Sequence, residues 1–75
     1  MEKEFIVEVD VVGSDKCVAY ECLNTLSAAR KRAKFLSSRY NDYNRYDVFI
    51  HYDNEDGYPM EEEYHNGDCI NIMEC

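Results

Sequence analysis

Residues 4–12 decide the fold, and they read Glu4-Phe5-Ile6-Val7-Glu8-Val9-Asp10-Val11-Val12. Successive side chains of a strand point to opposite faces, so this alternation predicts a first strand with one apolar face and one mostly polar face. The apolar face holds Phe5, Val7, Val9 and Val11, and the other face holds Glu4, Ile6, Glu8 and Asp10. A strand of this kind needs neighbouring strands and a second layer that covers its apolar side.

The next segment predicts the return strand of a hairpin. Turn-forming residues occupy positions 13–16, and the β-favouring run Cys17-Val18-Ala19-Tyr20-Glu21-Cys22 follows them. We expect Val18, Tyr20 and Cys22 to share the core side of this second strand.

A helix is predicted from Asn24 or Thr25, because either side chain can accept a hydrogen bond from an exposed backbone N–H of the first turn. One narrow arc of this helix carries Leu26, Ala29, Ala33, Leu36 and Tyr40. The small alanine side chains would let the helix backbone approach a sheet closely, so this arc is predicted to cover the core.

Phe35 falls almost opposite that arc, beside Lys31 and Arg39. Single exposed apolar side chains are common on protein surfaces. Two interpretations of Phe35 therefore stay open: a neighbouring loop covers it, or it contacts a partner.

Residues 46–52 predict a third strand, with Tyr46, Val48, Ile50 and Tyr52 on the core face and His51 on the other. Residues 53–57 form a turn by composition, and Pro59 indicates that the next strand starts late or lies at an edge. Residues 60–64 and 68–73 predict a last hairpin. Its connection is either a two-residue Asn66-Gly67 turn or a three-residue loop with a bulge at left-handed Gly67. We favour the bulge, because it aligns Met60 and Tyr64 with Ile70 and Ile72.

These elements predict an α+β fold in the order ββαβββ: an antiparallel β-sheet of four to five strands with one helix packed on one face. A chain of 75 residues has room for one small core, so residues 1–75 are predicted to form a single domain.

Charge is distributed unevenly along the chain. Residues 41–75 hold ten acidic groups and one basic group, whereas residues 25–40 hold five basic groups and no acidic group. The net charge is −8. A surface of this sign attracts basic partners and repels nucleic acid from most of the molecule.

Catalytic and cofactor motifs are absent from the sequence. There is no Gly-rich phosphate loop, no His-x-x-x-His pair and no Ser/His/Asp arrangement. A Cys69–His51 pair would lack an activating group and a third orienting residue. We therefore predict a protein that is not an enzyme, that binds no metal and that needs no cofactor.

The four cysteines are Cys17, Cys22, Cys69 and Cys75. They would allow three disulfide connectivities in an oxidising compartment, but no secretory signal is visible in residues 1–16, so we expect reduced thiols. Their spacings also differ from the short knuckles that hold structural zinc. Free thiols and a cytoplasmic location are the expectation.

The acids of the second half are the candidate contact residues for a partner. The set comprises Asp53, Glu55, Asp56, Glu61, Glu62, Glu63 and Asp68, to which we add Phe35 from the helix. Clustered carboxylates can imitate the regular negative charge of a nucleic-acid backbone and so occupy a basic groove. The competing interpretation is that net negative charge only keeps a small domain soluble.

The basic helix raises the opposite possibility. Residues 30–34, Arg-Lys-Arg-Ala-Lys, could touch phosphates or serve as a localisation signal. The net charge of −8 argues against direct binding of nucleic acid, which needs a basic footprint uninterrupted by acids. The simpler interpretation is that the helix neutralises neighbouring acidic loops.

A resemblance rests on residues 24–34, Asn-Thr-Leu-Ser-Ala-Ala-Arg-Lys-Arg-Ala-Lys, followed by residues 48–52, Val-Phe-Ile-His-Tyr. This arrangement resembles that of many very small phage and mobile-element accessory proteins, and some anti-CRISPR inhibitors are similar in size, acidity and layout. The motif mainly encodes helix packing, and no functional residue is carried over from it. The resemblance implies a protein that occludes or bridges a larger protein, often one that handles nucleic acid.

Two function hypotheses follow. The first is a small acidic protein-binding inhibitor that occludes a basic, nucleic-acid-binding site on a larger partner, as an anti-CRISPR or other phage anti-defence protein would. The second is a self-associating accessory or regulatory domain, a homodimer through the sheet face that the helix leaves uncovered. Ile6, Phe49 and Met73 on that face motivate the second hypothesis. Neither hypothesis involves a membrane or direct contact with nucleic acid.

Overall fold

Five antiparallel strands and one helix lie within residues 4–74, the part of the chain that the structure, a computed structural model, describes. The elements are β1 (Phe5–Val11), β2 (Cys17–Leu23), α1 (Leu26–Arg39), β3 (Tyr46–Asp53), β4 (Pro59–His65) and β5 (Asp68–Glu74). They form one sheet in the order β2-β1-β3-β4-β5. The predicted α+β class and the element order ββαβββ are confirmed.

The helix begins and packs as its sequence predicts. The Thr25 side chain accepts a hydrogen bond from the Ala28 N–H at 3.1 Å and caps the first turn. Ala29, Ala33 and Leu36 are buried against the sheet. Because two of these three side chains are only a methyl group, α1 lies close to the strands beneath it.

The core lies between α1 and the central strands. Its buried apolar residues are Phe5, Val7, Val9, Ala29, Ala33, Leu36, Val48, Ile50 and Tyr64. This set confirms the predicted core positions of Phe5, Val7 and Val9 on β1 and of Val48 and Ile50 on β3. Tyr46 and Tyr52 are partly buried and pack against the core, whereas Val11 does not belong to it. Burying one aliphatic side chain of this size contributes about 1.5–3 kcal/mol, so the few residues of this layer supply most of the folding free energy.

The predicted core face of β2 is wrong. The pairing of Phe5 with Leu23 and of Val9 with Ala19 turns Ala19, Glu21 and Leu23 toward the helix. Val18 and Tyr20 are exposed instead. Both faces of this strand mix apolar and polar side chains, and the sequence pattern therefore could not decide between them. A bulge beside Val9 and Asp10 also shifts the register, so that Cys17 and Cys22 lie on the same face.

The predicted three-residue connection between β4 and β5 is also wrong. Asn66 and Gly67 form a two-residue turn with positive φ at both positions, 49° and 86°, as a type I′ turn requires. This turn brings the Gly67 N–H to Ser37 Oγ at the end of α1, at 2.8 Å. A bulge beside Glu63 and Tyr64 then shifts the register of β5. Because of this shift, Ile72 pairs with Glu62 and lies on the same face as Met60 and Tyr64, as predicted for Ile72.

Glu62 is buried beneath the helix, so its predicted role in partner binding is wrong. Arg30 Nε and Nη2 donate to its two carboxylate oxygens at 3.1 and 2.8 Å. The hydroxyl groups of Tyr52 and Tyr64 donate to the same carboxylate at 2.5 and 2.8 Å. Its side chain is 0% exposed, whereas the Arg30 side chain is 44% exposed and covers it. We call these four residues the Glu62 network.

The Glu62 network favours the ionised carboxylate. Burial alone would raise the pKa of Glu62, but the hydrogen bonds from Arg30, Tyr52 and Tyr64 outweigh it and hold the pKa below its usual value of 4.5. A group with a depressed folded pKa stabilises the fold above its unfolded pKa, and that stabilisation is lost as the pH falls through the folded value. The network therefore stabilises the protein at neutral pH and weakens in acid.

We predict that Arg30→Ala lowers the free energy of unfolding by about 3 kcal/mol, because it leaves a buried carboxylate without its cation. Arg32 is the matched control on the same helix, since it pairs at 2.5 Å with Glu21, whose side chain is 36% exposed whereas that of Glu62 is 0% exposed. Arg32→Ala should cost less than about 1 kcal/mol. Urea unfolding at neutral pH measures both variants. Equal, small losses would contradict the structural role of the Glu62 network.

Candidate functional site

The candidate site is the face of the sheet that points away from α1, which we call the open face. β3 runs through its middle and contributes Phe49 and His51. The strand register sets Phe49 between Glu8 of β1 and Glu63 of β4. The same register sets His51 between Ile6 and Glu61. Phe49 is thus flanked by a carboxylate on each neighbouring strand, whereas His51 has one carboxylate beside it in the register and one isoleucine.

All formal charge on the open face is negative, apart from any proton held by a histidine. The strand segments contain no lysine or arginine, and five of the eight basic residues of the chain lie in α1. By register and alternation, seven carboxylates of the strands point to the open face: Glu8, Asp10, Asp47, Asp53, Glu61, Glu63 and Asp68. Folding therefore separates the molecule into a basic helix layer and an acidic outer sheet surface.

His51 links the two acidic sides of the open face. Its Nε2 lies 2.5 Å from Glu8 Oε1, and its Nδ1 lies 3.6 Å from Glu61 Oε1. The Phe49 ring lies beside it, with ring centroids 5.8 Å apart. Within residues 4–74, His51 therefore lies within 4 Å of a carboxylate on each neighbouring strand.

The remaining carboxylates repel one another. Partial burial raises the pKa of Asp10, and the neighbouring Glu8 and Asp47 raise it further. Partial burial likewise raises the pKa of Glu63, with added repulsion from Asp47 and Glu61. Both shifts have the direction expected when acids crowd together without a cation. Positive charge placed near these two carboxylates would favour their ionised forms.

The predicted contact residues do not form one surface. Asp53, Glu61, Glu63 and Asp68 point to the open face, with Asp53 at one end of the sheet and Asp68 at the other. Glu55 and Asp56 lie in the β3–β4 turn instead. Glu62, as described above, is buried.

Phe35 lies on the far side of the molecule from the open face. Its side chain is 50% exposed on the outside of α1, and the Arg32 guanidinium lies 5.1 Å from its ring. Phe35 is therefore half exposed and is not covered by a loop of the described chain. It belongs to a separate, basic surface.

Sequence reasoning missed Glu8, Asp10, Asp47 and His51 as parts of one site. The alternation of β1 did place Glu8 and Asp10 on the face opposite the core, and His51 fell on the corresponding face of β3. What the sequence did not supply was the strand order that places β1 directly beside β3. The pairing of β1 with β3 places the acids of the first strand next to Asp47 in the second half of the chain.

One group of side chains has the composition of a metal site. The possible ligand atoms of Glu8, Asp10 and Cys17 lie within 4.8 Å of one another. Burial raises the pKa of the Cys17 thiol, and its Sγ donates to the Ala19 carbonyl at 2.9 Å. A protonated thiol that already donates a hydrogen bond is a poor metal ligand. We therefore attribute the proximity of these three side chains to hydrogen bonding within the protein.

Among residues 4–74, Cys17, Cys22 and Cys69 are free and exposed. The fourth cysteine of the expected set of free thiols, Cys75, lies outside the described residues. No helix within the described part of the chain is long and apolar enough to cross a membrane.

No protein-family model matches the chain, and no curated protein or solved structure matches it. The function of the open face therefore has to be inferred from its residues.

We predict that Glu63→Gln raises Tm at pH 7. The folded pKa of Glu63 lies above its usual value of 4.5. A raised pKa stabilises the fold below the unfolded value, and that stabilisation is lost as the pH rises through the folded value. At pH 7 the ionised carboxylate is therefore unfavourable, and its removal should add about 0.5 kcal/mol, or roughly 2–4 °C.

Glu55→Gln, at an exposed turn position, is the matched control and should leave Tm unchanged. Thermal scans at pH 7 and pH 3.5 measure both variants. The gain from Glu63→Gln should disappear at pH 3.5, where the wild-type carboxylate is protonated. A loss of stability at pH 7 would show that Glu63 makes a favourable interaction in the folded protein.

Proposed function

We propose that the protein is an acidic protein-binding inhibitor whose open face covers a basic, nucleic-acid-binding site on a larger partner. The observation that carries the proposal is the concentration of carboxylates around Phe49, on a face without lysine or arginine. Interfaces gain affinity from buried aromatic anchors and gain association rate and specificity from complementary charge. The open face offers both.

The electrostatics of the free protein support this proposal. Crowded carboxylates whose pKa is raised cost folding stability at neutral pH, and a small domain has little stability to spare. Solubility alone would be served as well by acids spread over separate turns, where they would not repel one another. A basic partner would convert this repulsion into attraction.

Within this proposal, the protein is an inhibitor of phage origin, such as an anti-CRISPR protein, and it blocks a defence effector. This assignment is supported by the resemblance in size, acidity and layout described for residues 24–34 and 48–52. The partner in that case is an effector whose basic groove holds nucleic acid, and the inhibitor acts in the cytoplasm of the host cell.

Self-association is the second candidate function, and the free edges of the sheet favour it. β5 is an edge strand that is exposed along its whole length, and it carries no charge from Cys69 to Met73. Unprotected edges of this kind pair readily with another strand. The open face itself is a poorer dimer contact than expected from Ile6, Phe49 and Met73, because two copies would set carboxylates against carboxylates.

Capture from host lysate tests the proposed function, with the tagged chain as bait and mass spectrometry to identify what it binds. We predict that the wild-type chain recovers a basic nucleic-acid-binding protein and that the double variant Glu61→Lys/Glu63→Lys does not. Recovery should fall steeply with salt, because at about 0.15 M charges are screened beyond about 8 Å. Added DNA or RNA should compete with the bait.

Glu55→Lys/Asp56→Lys changes the net charge equally but at the β3–β4 turn, so it is the matched control and should retain binding. Circular dichroism confirms the fold of each variant. Equal loss of binding in both double variants would show that only net charge matters. Recovery of no other protein, together with sedimentation of the free chain as a dimer, would favour the self-association candidate.

A further inference from the structure

We infer that the element bound by the open face is an α-helix with an apolar stripe flanked on both sides by lysine or arginine. This inference deepens the proposed function and rests on it, because it names the part of a basic partner that the open face covers.

The width of the open face matches that of a helix. Neighbouring strands lie about 4.8 Å apart, so the carboxylates of β1 and β4 stand about 10 Å from each other across β3. An α-helix with its side chains is about 10–12 Å across. A helix lying along β3 would set its apolar stripe on Phe49, and its flanking cations would meet Glu8 on one side and Glu63 on the other.

The sheet already binds one such helix, α1, on its other face. α1 buries Ala29 and Ala33 against the sheet, while Arg30 reaches Glu62 on β4 and Arg32 reaches Glu21 on β2. The pattern is an apolar centre with a carboxylate on a strand to each side. The open face repeats that pattern, and no element of the described chain covers it.

Charge distinguishes this occupant from a second copy stacked face to face. The open face offers seven carboxylates and two histidines but no lysine or arginine, so two open faces would repel each other. A flat acidic or neutral partner would leave the same charges uncompensated. A helix with cations on both flanks compensates both acidic stripes at once.

The test uses two peptides of identical Leu, Lys and Ala composition, each roughly 18 residues or five helical turns long. In one, leucines recur at i, i+3, i+4 and i+7 with lysines on both sides; in the other, the same residues are permuted so that no stripe forms. Calorimetric titration of the full chain should give at least about tenfold tighter binding of the striped peptide.

Phe49→Ala should reduce the affinity for the striped peptide to that of the permuted one. Phe35→Ala, on the outside of α1, is the matched control and should leave both affinities unchanged. Circular dichroism confirms that each variant is folded.

Equal binding of the two peptides would overturn the helix inference, while the proposed function would stand, because the face would then respond to positive charge alone. Binding of neither peptide would overturn the inference, and capture from lysate would still decide the proposed function separately. Sedimentation of the free chain as an oligomer that Phe49→Ala disperses would also overturn it, since a second copy would then be the occupant.

Discussion

One helix of 14 residues can cover only one face of a five-stranded sheet, and the rest of the structure depends on that constraint. Apolar side chains of β1 and β3 have to turn toward α1, because no other layer is available to bury them. The Glu62 network fixes the helix over the sheet by joining α1 to β3 and β4 through charged hydrogen bonds. Everything on the opposite side must then face water or a partner.

The same constraint separates the charges. The helix carries five of the eight basic residues, and two of its arginines are paired with sheet carboxylates. The acids on the open face have no lysine or arginine partner on the strands, and the two histidines of the strands are His51 on β3 and His65 on β4. Repulsion between Asp10, Asp47 and Glu63 therefore persists in the free protein. Binding of a basic partner is the simplest process that relieves it, and this is why we place function on the open face.

Strand alternation in β1 and helical periodicity in α1 were enough to predict the fold class and most of the core. Both faces of β2 mix apolar and polar side chains, so the alternation of residues could not predict which face is buried. The contact of Leu23 with the core decides which face of β2 turns toward α1. Glu62 could not be told from Glu61 and Glu63 by sequence, because its burial depends on an arginine 32 residues away. The site itself depends on strand order, which unites Glu8 of β1 with Glu63 of β4 around Phe49.

The three phenylalanines allow the central claim to be tested directly, since Phe5 lies in the core, Phe35 on the outside of α1 and Phe49 on the open face. The protein can be labelled with fluorophenylalanine, and its ¹⁹F spectrum followed during titration with the striped lysine–leucine peptide. We predict that the Phe49 resonance shifts with saturation while those of Phe5 and Phe35 stay in place. A shift confined to Phe35 would place the binding surface on the helix and contradict the account.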